Sequence, residues 1–169
     1  MSVKSILCYR RYIWLGLLPI IIFFLSSCSF SSQKIIKVDL YPVPYSIEVP
    51  AEIAQHLSIE NMVSNTPNVF TKEADRAGAI AQVYINYKAK DGTEHGFAGV
   101  YYFNKADYDK ANNPNEPPSY GSKVFEYDSM ILAVAGPQDS IFDPNSQDGK
   151  NSMELYTLVY DPDAYSYTK

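Results

Sequence analysis

A pair of β-prone segments in the middle of the chain constrains the fold more than any other feature. Ala79–Lys88 and Glu94–Asn104 flank the sequence Lys-Asp-Gly-Thr at 90–93. Asp-Gly suits a tight hairpin turn, because glycine adopts a positive φ without strain. Apolar and polar residues alternate along the first segment, whereas both faces of the second are apolar or aromatic. The pattern predicts an antiparallel hairpin whose second strand is covered on both sides.

The two-residue period of a strand also assigns the side chains of the second segment to faces. One face is expected to carry Phe97, Gly99, Tyr101 and Phe103, and the opposite face Ala98, Val100 and Tyr102.

Other segments extend this hairpin into a domain. Residues 35–40, 45–49, 124–127 and 130–135 have the composition of strands, and residues 152–160 that of a helix, with Met153, Leu155, Tyr156 and Val159 as packing candidates. Pro50 and Glu52 favour a helix start, so a second helix is predicted from there to about residue 63. We therefore predict an α+β fold in a single domain over residues 35–169: an antiparallel sheet of five or six strands flanked by two helices.

The N-terminus has the order of an export signal. Three basic residues lie within the first eleven positions, and an uncharged run follows at 12–25. That run is shorter than the roughly 20 apolar residues of a membrane span and has the length of a signal sequence core. It ends in Leu-Ser-Ser-Cys at 25–28, which resembles the lipobox of bacterial lipoproteins. An uncleaved anchor and a secretory signal with an incidental cysteine are the alternatives.

The lipobox resemblance implies a division of the chain. Residues 1–27 would be a signal peptide, and residues 28–34 an acylated cysteine with a flexible serine-rich tether. Cys28 would carry the acyl chains, and more than one chain is needed for stable anchoring. The resemblance thus implies an extracytoplasmic location on the cell membrane or the outer membrane, with the type of host cell left open.

The charge and cysteine content exclude several classes of function. Residues 28–169 contain 11 basic and 19 acidic residues, a net charge of −8. An acidic surface argues against nucleic acid as a partner and against an electrostatic grip on anionic lipid. The only other cysteine, Cys8, lies in the signal, so the exported part has no disulfide or thiolate metal site. We predict no cofactor.

Four short motifs carry a further resemblance. They are YSIEVP at 45–50, FAGVYYF at 97–103, PSYG at 118–121 and AGPQD at 135–139. In this order they resemble small uncharacterised lipoproteins of Firmicutes and, more distantly, the PsbP/Mog1 type of α/β/α sandwich. The resemblance implies a fold and no activity.

Tyrosine is the most unusual component, with 15 in the chain. Residues 105–121, rich in proline and asparagine, are long for a loop, and long loops are often functional. One interpretation is a recognition loop there, with Tyr101, Tyr108 and Tyr120 as a candidate binding surface, because tyrosine offers contact area at low entropic cost. The alternative is a solvated loop beside ordinary core tyrosines.

A calcium site is a second candidate. Asp143, Asn145, Gln147 and Glu154 occupy positions 1, 3, 5 and 12 of an EF-hand loop, whose oxygen ligands wrap a Ca²⁺ ion. However, the glycine of position 6 is replaced by Asp148. We predict no metal site and keep calcium only as an alternative.

Together these features predict a membrane-anchored, extracytoplasmic lipoprotein that acts as a non-enzymatic binding or accessory module for a protein or cell-envelope partner. The alternative is a small-ligand carrier or a hydrolase with an aromatic pocket. Clustering of His56, His95 and carboxylates in one concave site would favour the enzyme. A convex, tyrosine-rich face would favour the binding module.

Overall fold

The computed structural model describes residues 33–61, 74, 77–112 and 115–168. Within them the chain forms eight strands and three α-helices. The strands are β1 Ile35–Asp39, β2 Tyr45–Pro50, β3 Leu57–Asn61, β4 Ala79–Lys88, β5 Glu94–Asn104, β6 Ser122–Tyr127, β7 Met130–Ala135 and β8 Tyr165–Tyr167. The helices are α1 Ala51–Ala54, α2 Lys105–Ala111 and α3 Gln147–Val159. None of the helices in the described residues is long and apolar enough to cross a membrane.

The strands form two antiparallel sheets. The larger sheet has five strands in the order β3-β4-β5-β7-β6, and the smaller has three in the order β1-β2-β8. The predicted α+β fold with a five-stranded antiparallel sheet is confirmed. The smaller sheet was not anticipated, because its third strand is only three residues long and carries no strand period of its own.

A β-bulge in the central hairpin changes the predicted faces. Ile85 pairs with Ala98 and Asn86 pairs with Gly96, so Phe97 is the extra residue on β5. A bulge interrupts the strict alternation of side chains. Phe97 therefore packs with Ala98 and not, as the period predicts, with Tyr101 and Phe103.

The helix predicted after Pro50 is wrong in length. Only α1, four residues long, is helical, and the chain then forms β3. Leu57 and Ile59 pair with Tyr87 and Ile85 on β4. The backbone hydrogen bonds of this pairing outweigh the weak local helix preference. The last two residues of the predicted helix lie outside the described residues.

The C-terminal helix starts earlier than predicted. The Ser146 hydroxyl accepts a hydrogen bond from the Gly149 N–H at 2.9 Å, which caps α3 at its first turn. Leu155 and Val159 are buried as expected, but Met153 and Tyr156 are exposed. Fewer side chains of α3 are therefore buried than the sequence predicts.

The five-stranded sheet has apolar side chains on both faces. On one face, β4, β5 and β7 share the main core with the small sheet and with α3; Ile47, Ile85, Val100, Leu132 and Leu155 are among its fully buried members. On the other face a second cluster surrounds Phe103 and includes Ile131 and Tyr108. The prediction that β5 is covered on both sides is confirmed.

Candidate functional site

The tyrosines predicted as contact residues lie mainly in the interior. Tyr101 and Tyr108 are buried, and Tyr120 is half-buried against them. Residues 105–111 of the predicted loop form α2, which turns Tyr108 towards the sheet. The interpretation that Tyr101 and Tyr108 form a surface is therefore wrong. The Tyr101 side chain lies on the face of β5 that carries the second cluster, and the Tyr108 side chain packs from α2 into the same cluster.

The contacts of these residues are those of a core. The Phe103 ring lies 5.8 Å from the ring of Tyr108 and 5.8 Å from that of Tyr120, measured between centroids. The Tyr108 hydroxyl donates a hydrogen bond of 2.9 Å to the Gly121 carbonyl. Such packing fixes the segment that leads into β6, so these tyrosines are structural.

A different set of aromatic side chains extends from the core to the surface. We call it the tyrosine surface, and it consists of Tyr45, Tyr102, Phe125, Tyr127, Tyr165 and Tyr167. The ring of Tyr45 lies 5.0 Å from Phe125, 5.5 Å from Tyr167 and 6.0 Å from Tyr102. All three contacts are edge-to-face, a favourable geometry for aromatic pairs. The tyrosine surface thus joins the small sheet to β5 and β6.

The outer members of this set are open to solvent. Tyr127 is 73% exposed and Tyr167 is 63% exposed, whereas Tyr45 is buried beneath them. Burial, followed by the nearby Tyr102 and Tyr167, raises the pKa of Tyr45. The tyrosine surface therefore has a packed base and exposed phenol groups.

A set of polar side-chain contacts holds β8 in place beside these rings. Lys37 forms an ion pair of 3.0 Å with Glu48, and the Ser166 hydroxyl donates to the same carboxylate at 3.1 Å. The hydrogen bonds from Lys37 and Ser166 lower the pKa of Glu48. Because the three residues lie on β1, β2 and β8, they fix the strand that carries Tyr165 and Tyr167.

A concave site lies beside α3 and is called the apolar cleft. It has a volume of about 230 Å³. Its apolar lining includes Phe97, Ile141, Phe142, Met153 and Tyr156, and its polar lining includes Gln138, Asp139, Ser140 and Ser152. Ile141, Met153 and Tyr156 are 43%, 62% and 45% exposed. Three large apolar side chains are therefore partly open to solvent around one depression.

The apolar cleft is backed by a polar network that fixes the start of α3. The Tyr87 hydroxyl donates to Asp148 at 3.0 Å and accepts from the Asn151 amide at 3.2 Å. The Asn151 carbonyl oxygen accepts from Gln147 at 2.7 Å, and Asp148 also accepts from the Lys90 N–H at 3.2 Å. The network ties α3 to β4 and to the hairpin turn, so it sets the position of the cleft wall.

The two histidines lie at the ends of a series of four rings. His56 stacks on Tyr87 at 5.3 Å, Tyr87 lies 5.4 Å from Phe142, and Phe142 lies 5.1 Å from His95. The Nδ1–H of His56 donates to the Lys88 carbonyl at 2.7 Å. Both histidines thus pack against aromatic side chains, an arrangement that stabilises the sheet end.

The residues of the calcium alternative do not form an EF-hand loop. Gln147 and Glu154 both lie on α3, seven positions apart. In an EF-hand, positions 5 and 12 belong to one loop that wraps the ion, whereas here about 10 Å of helix separates the two backbone positions. Asp143 accepts instead from the Asn145 N–H at 2.9 Å. Among the described residues no group of three or more His, Cys, Asp or Glu side chains could hold a metal ion.

The buried phenols predict a pH dependence of stability. Burial and the Asp148 carboxylate raise the pKa of Tyr87 to about 12, although the Asn151 hydrogen bond opposes the shift. Burial also raises the pKa of Tyr101 and Tyr165. Above pH 10 the unfolded chain loses these protons and the folded chain keeps them. Stability should therefore be intact below about pH 10 and fall as the pH rises towards 12, by about 1.4 kcal/mol per pH unit for each such tyrosine.

Urea unfolding at a series of alkaline pH values would measure this decline, and tyrosine absorbance would follow ionisation. Tyr87→Phe provides the matched variant. It should cost about 1–3 kcal/mol at neutral pH, because Asp148 and Asn151 lose a buried partner. The stability of this variant should also fall less steeply as the pH rises, since it lacks one of the tyrosines that keep their proton in the folded state. An unchanged slope would mean that Tyr87 is not protected in the folded state.

Comparisons of the chain with protein-family models, with curated proteins and with solved structures find no match in any of the three. The tyrosine surface and the apolar cleft are the observations on which a function can be argued.

Proposed function

We propose that the protein is a membrane-anchored, extracytoplasmic lipoprotein that acts as a non-enzymatic binding module. Its contact with a protein or cell-envelope partner is made by the tyrosine surface. The observation that carries this proposal is the exposed phenol of Tyr167 on a packed aromatic base, with the exposed Tyr127 of β6 close to the same Tyr45.

The chemistry of the tyrosine surface suits recognition. A tyrosine ring offers apolar contact area, and its hydroxyl both donates and accepts hydrogen bonds. Edge-to-face packing of Tyr45 with Tyr167 and Phe125 restricts the base of the surface before a partner arrives. Pre-organised side chains lose little entropy on binding, so more of the contact energy appears as affinity.

The anchor part of the proposal rests on the sequence at 25–28, since Cys28 lies outside the described residues. The seven residues 28–34 can span at most about 25 Å. They lead directly into β1, where Ile35 pairs with Pro50. Tyr45 and Tyr167 pair with each other at the opposite end of the small sheet. Tyr45 and Tyr167 are therefore at the end of the small sheet away from Ile35, the first residue of β1.

Photo-crosslinking in the host cells would test the binding function. A photoreactive amino acid at position 127 or 167 should give a discrete crosslinked product in the native envelope. The matched control is position 110, since Lys110 is exposed on α2 and α2 covers the opposite face of the large sheet. Equal crosslinking at 110, or no product at 127 and 167, would overturn the proposal.

The apolar cleft favours the alternative function, a small-ligand carrier. Its volume of about 230 Å³ is below the roughly 300–1,000 Å³ of drug-sized ligand sites, so only a small molecule would fit. A carrier should retain its ligand during gentle purification. Native mass spectrometry of the protein from its own cells would then show a bound mass that Met153→Asn removes.

A further inference from the structure

The apolar cleft has the dimensions of a socket for one side chain. It holds about 230 Å³ between the 137–142 segment and α3, with the buried Phe97 as part of its lining. Anchoring pockets at protein interfaces are typically filled by a single large apolar residue of the partner. Met153 and Tyr156 lie one turn apart on the same side of α3 as Gly149 and Ser152, and together they form one wall.

The two wall residues are exposed, although the Tyr156 ring lies 5.1 Å from that of Tyr160. The buried residues of α3 are Gly149 and the stripe Asn151, Leu155 and Val159, of which Leu155 and Val159 belong to the main core. Met153 and Tyr156 lie outside that stripe and are 62% and 45% exposed. Exposed apolar side chains around a concavity mark interaction sites more often than scattered ones do.

The segments that form the apolar cleft lie in an acidic part of the chain. Residues 136–163 contain six acidic residues and one basic residue, whereas residues 28–135 contain 13 acidic and nine basic residues. More than half of the net charge of −8 therefore comes from 28 of the 142 residues after position 27. Asp139 lines the cleft, and Asp143 and Glu154 are exposed on the segments that form it. Such a field attracts cations and repels anions.

We propose that the apolar cleft binds a cationic peptide segment of a partner protein, with one large apolar side chain of that segment inserted between Ile141, Met153 and Tyr156. The acidic residues around the cleft attract the basic flanks of the segment. This site is separate from the tyrosine surface, so either one can fail without the other.

The charge pattern disfavours the other occupants. An anionic lipid headgroup would meet carboxylates instead of basic side chains. A second copy of the chain would bring the same acidic segment against itself across a symmetric interface, which is electrostatically unfavourable. A basic peptide with an apolar anchor satisfies both the charge and the shape of the site.

Fluorescence anisotropy with the acylated protein in nanodiscs of neutral lipid would test the proposal. The probe is a short lysine-rich peptide with one central phenylalanine. The same peptide with alanine in that position should bind about tenfold more weakly, because it lacks the buried side chain. A peptide with glutamates in place of the lysines should not bind. Raising the salt concentration should weaken binding of the first peptide.

Two protein variants localise peptide binding, and a third tests the contribution of charge. Met153→Asn should weaken binding about tenfold, whereas Ile80→Asn, which alters another exposed apolar residue, should not change it. Asp139→Asn should make the affinity for the lysine-rich peptide less dependent on salt concentration. Methyl labelling of methionine should show a shift at Met153 on addition of peptide and none at Met130, at the start of β7.

Several outcomes would overturn the proposal. Equal affinity of the phenylalanine and alanine peptides would show that no large apolar side chain is inserted into the cleft. An equal loss of peptide affinity in Met153→Asn and Ile80→Asn would show that the peptide does not bind at the cleft. Binding of the glutamate peptide would refute the role of charge. Dimerisation that perturbs Met153 without peptide would assign the cleft to a second copy. Retention of a small molecule that blocks the peptide would assign it to a carrier function.

Discussion

Phe103→Ala is expected to lower the free energy of unfolding by about 3–5 kcal/mol. Phe103 is completely buried, and its ring contacts Tyr101, Tyr108 and Tyr120. Removing the ring leaves a cavity beneath α2, because three rings lose their common neighbour. Urea denaturation followed by circular dichroism would measure the change.

Tyr127→Ala is the matched aromatic control for this substitution. Tyr127 is 73% exposed, so its removal should change stability by no more than about 0.5 kcal/mol. The same variant should lose the photo-crosslinking partner of the tyrosine surface when the probe is at position 167. Comparable destabilisation by Phe103→Ala and Tyr127→Ala would contradict the division into structural and surface aromatics.

Gly121→Ala is expected to destabilise the domain by about 2–4 kcal/mol. Gly121 has a φ of +82°, where an alanine is strained. A Cβ atom at this position would also overlap the main chain at Val134 and Ala135. Because Gly121 leads into β6, relief of the overlap requires the edge of the large sheet to move.

Gly92→Ala separates the cost of the positive φ from the cost of the steric overlap. Gly92 has a similar φ of +88°, but a Cβ atom there would meet no other atom within 4 Å. This variant should therefore cost only about 1 kcal/mol, the conformational part alone. Thermal unfolding of both variants would compare them. Equal losses would show that the contact between Gly121 and β7 is not tight.

Local sequence patterns predict the strands of this protein well. The β4–β5 hairpin has long alternating segments and an Asp-Gly turn, and the β6–β7 hairpin has a continuous apolar strand. Its turn residues Asp128 and Ser129 both adopt positive φ, the conformation of a tight hairpin turn. Such signals are local, so they can be interpreted without knowledge of the rest of the fold.

Pairing between distant segments could not be predicted in the same way. Strand β8 pairs Tyr167 with Tyr45 over more than a hundred residues, and no local pattern encodes that choice. Likewise, β3 follows a helix start at Pro50, yet its edge position beside β4 decides its structure. Tertiary hydrogen bonding overrides local preference at both positions.

The candidate site was only partly predictable. The opposite faces of Tyr101 and Tyr102 follow from the strand period, but the sequence does not reveal that Tyr101 and Tyr108 are buried, because the side of the sheet that α2 covers is set by tertiary packing. The sequence analysis predicted Met153 and Tyr156 as packing residues, but both are exposed. The apolar residues of α3 form two overlapping stripes, one with Met153 and Tyr156 and one with Leu155 and Val159, and the sequence alone does not show which stripe faces the core. The acidic composition of residues 136–163 is visible in the sequence, but no local pattern indicates that these residues border a cleft.

The anchor at Cys28 is the central claim, because it decides where the two surfaces act. Metabolic labelling with a palmitate analogue tests it directly in wild type, Cys28→Ala and the matched control Cys8→Ala. The two cysteines are the only ones in the chain, and only Cys28 follows the Leu-Ser-Ser sequence. Labelling should persist in Cys8→Ala and disappear in Cys28→Ala, with release of the protein from the membrane fraction. Equal labelling of wild type and Cys28→Ala would contradict the account.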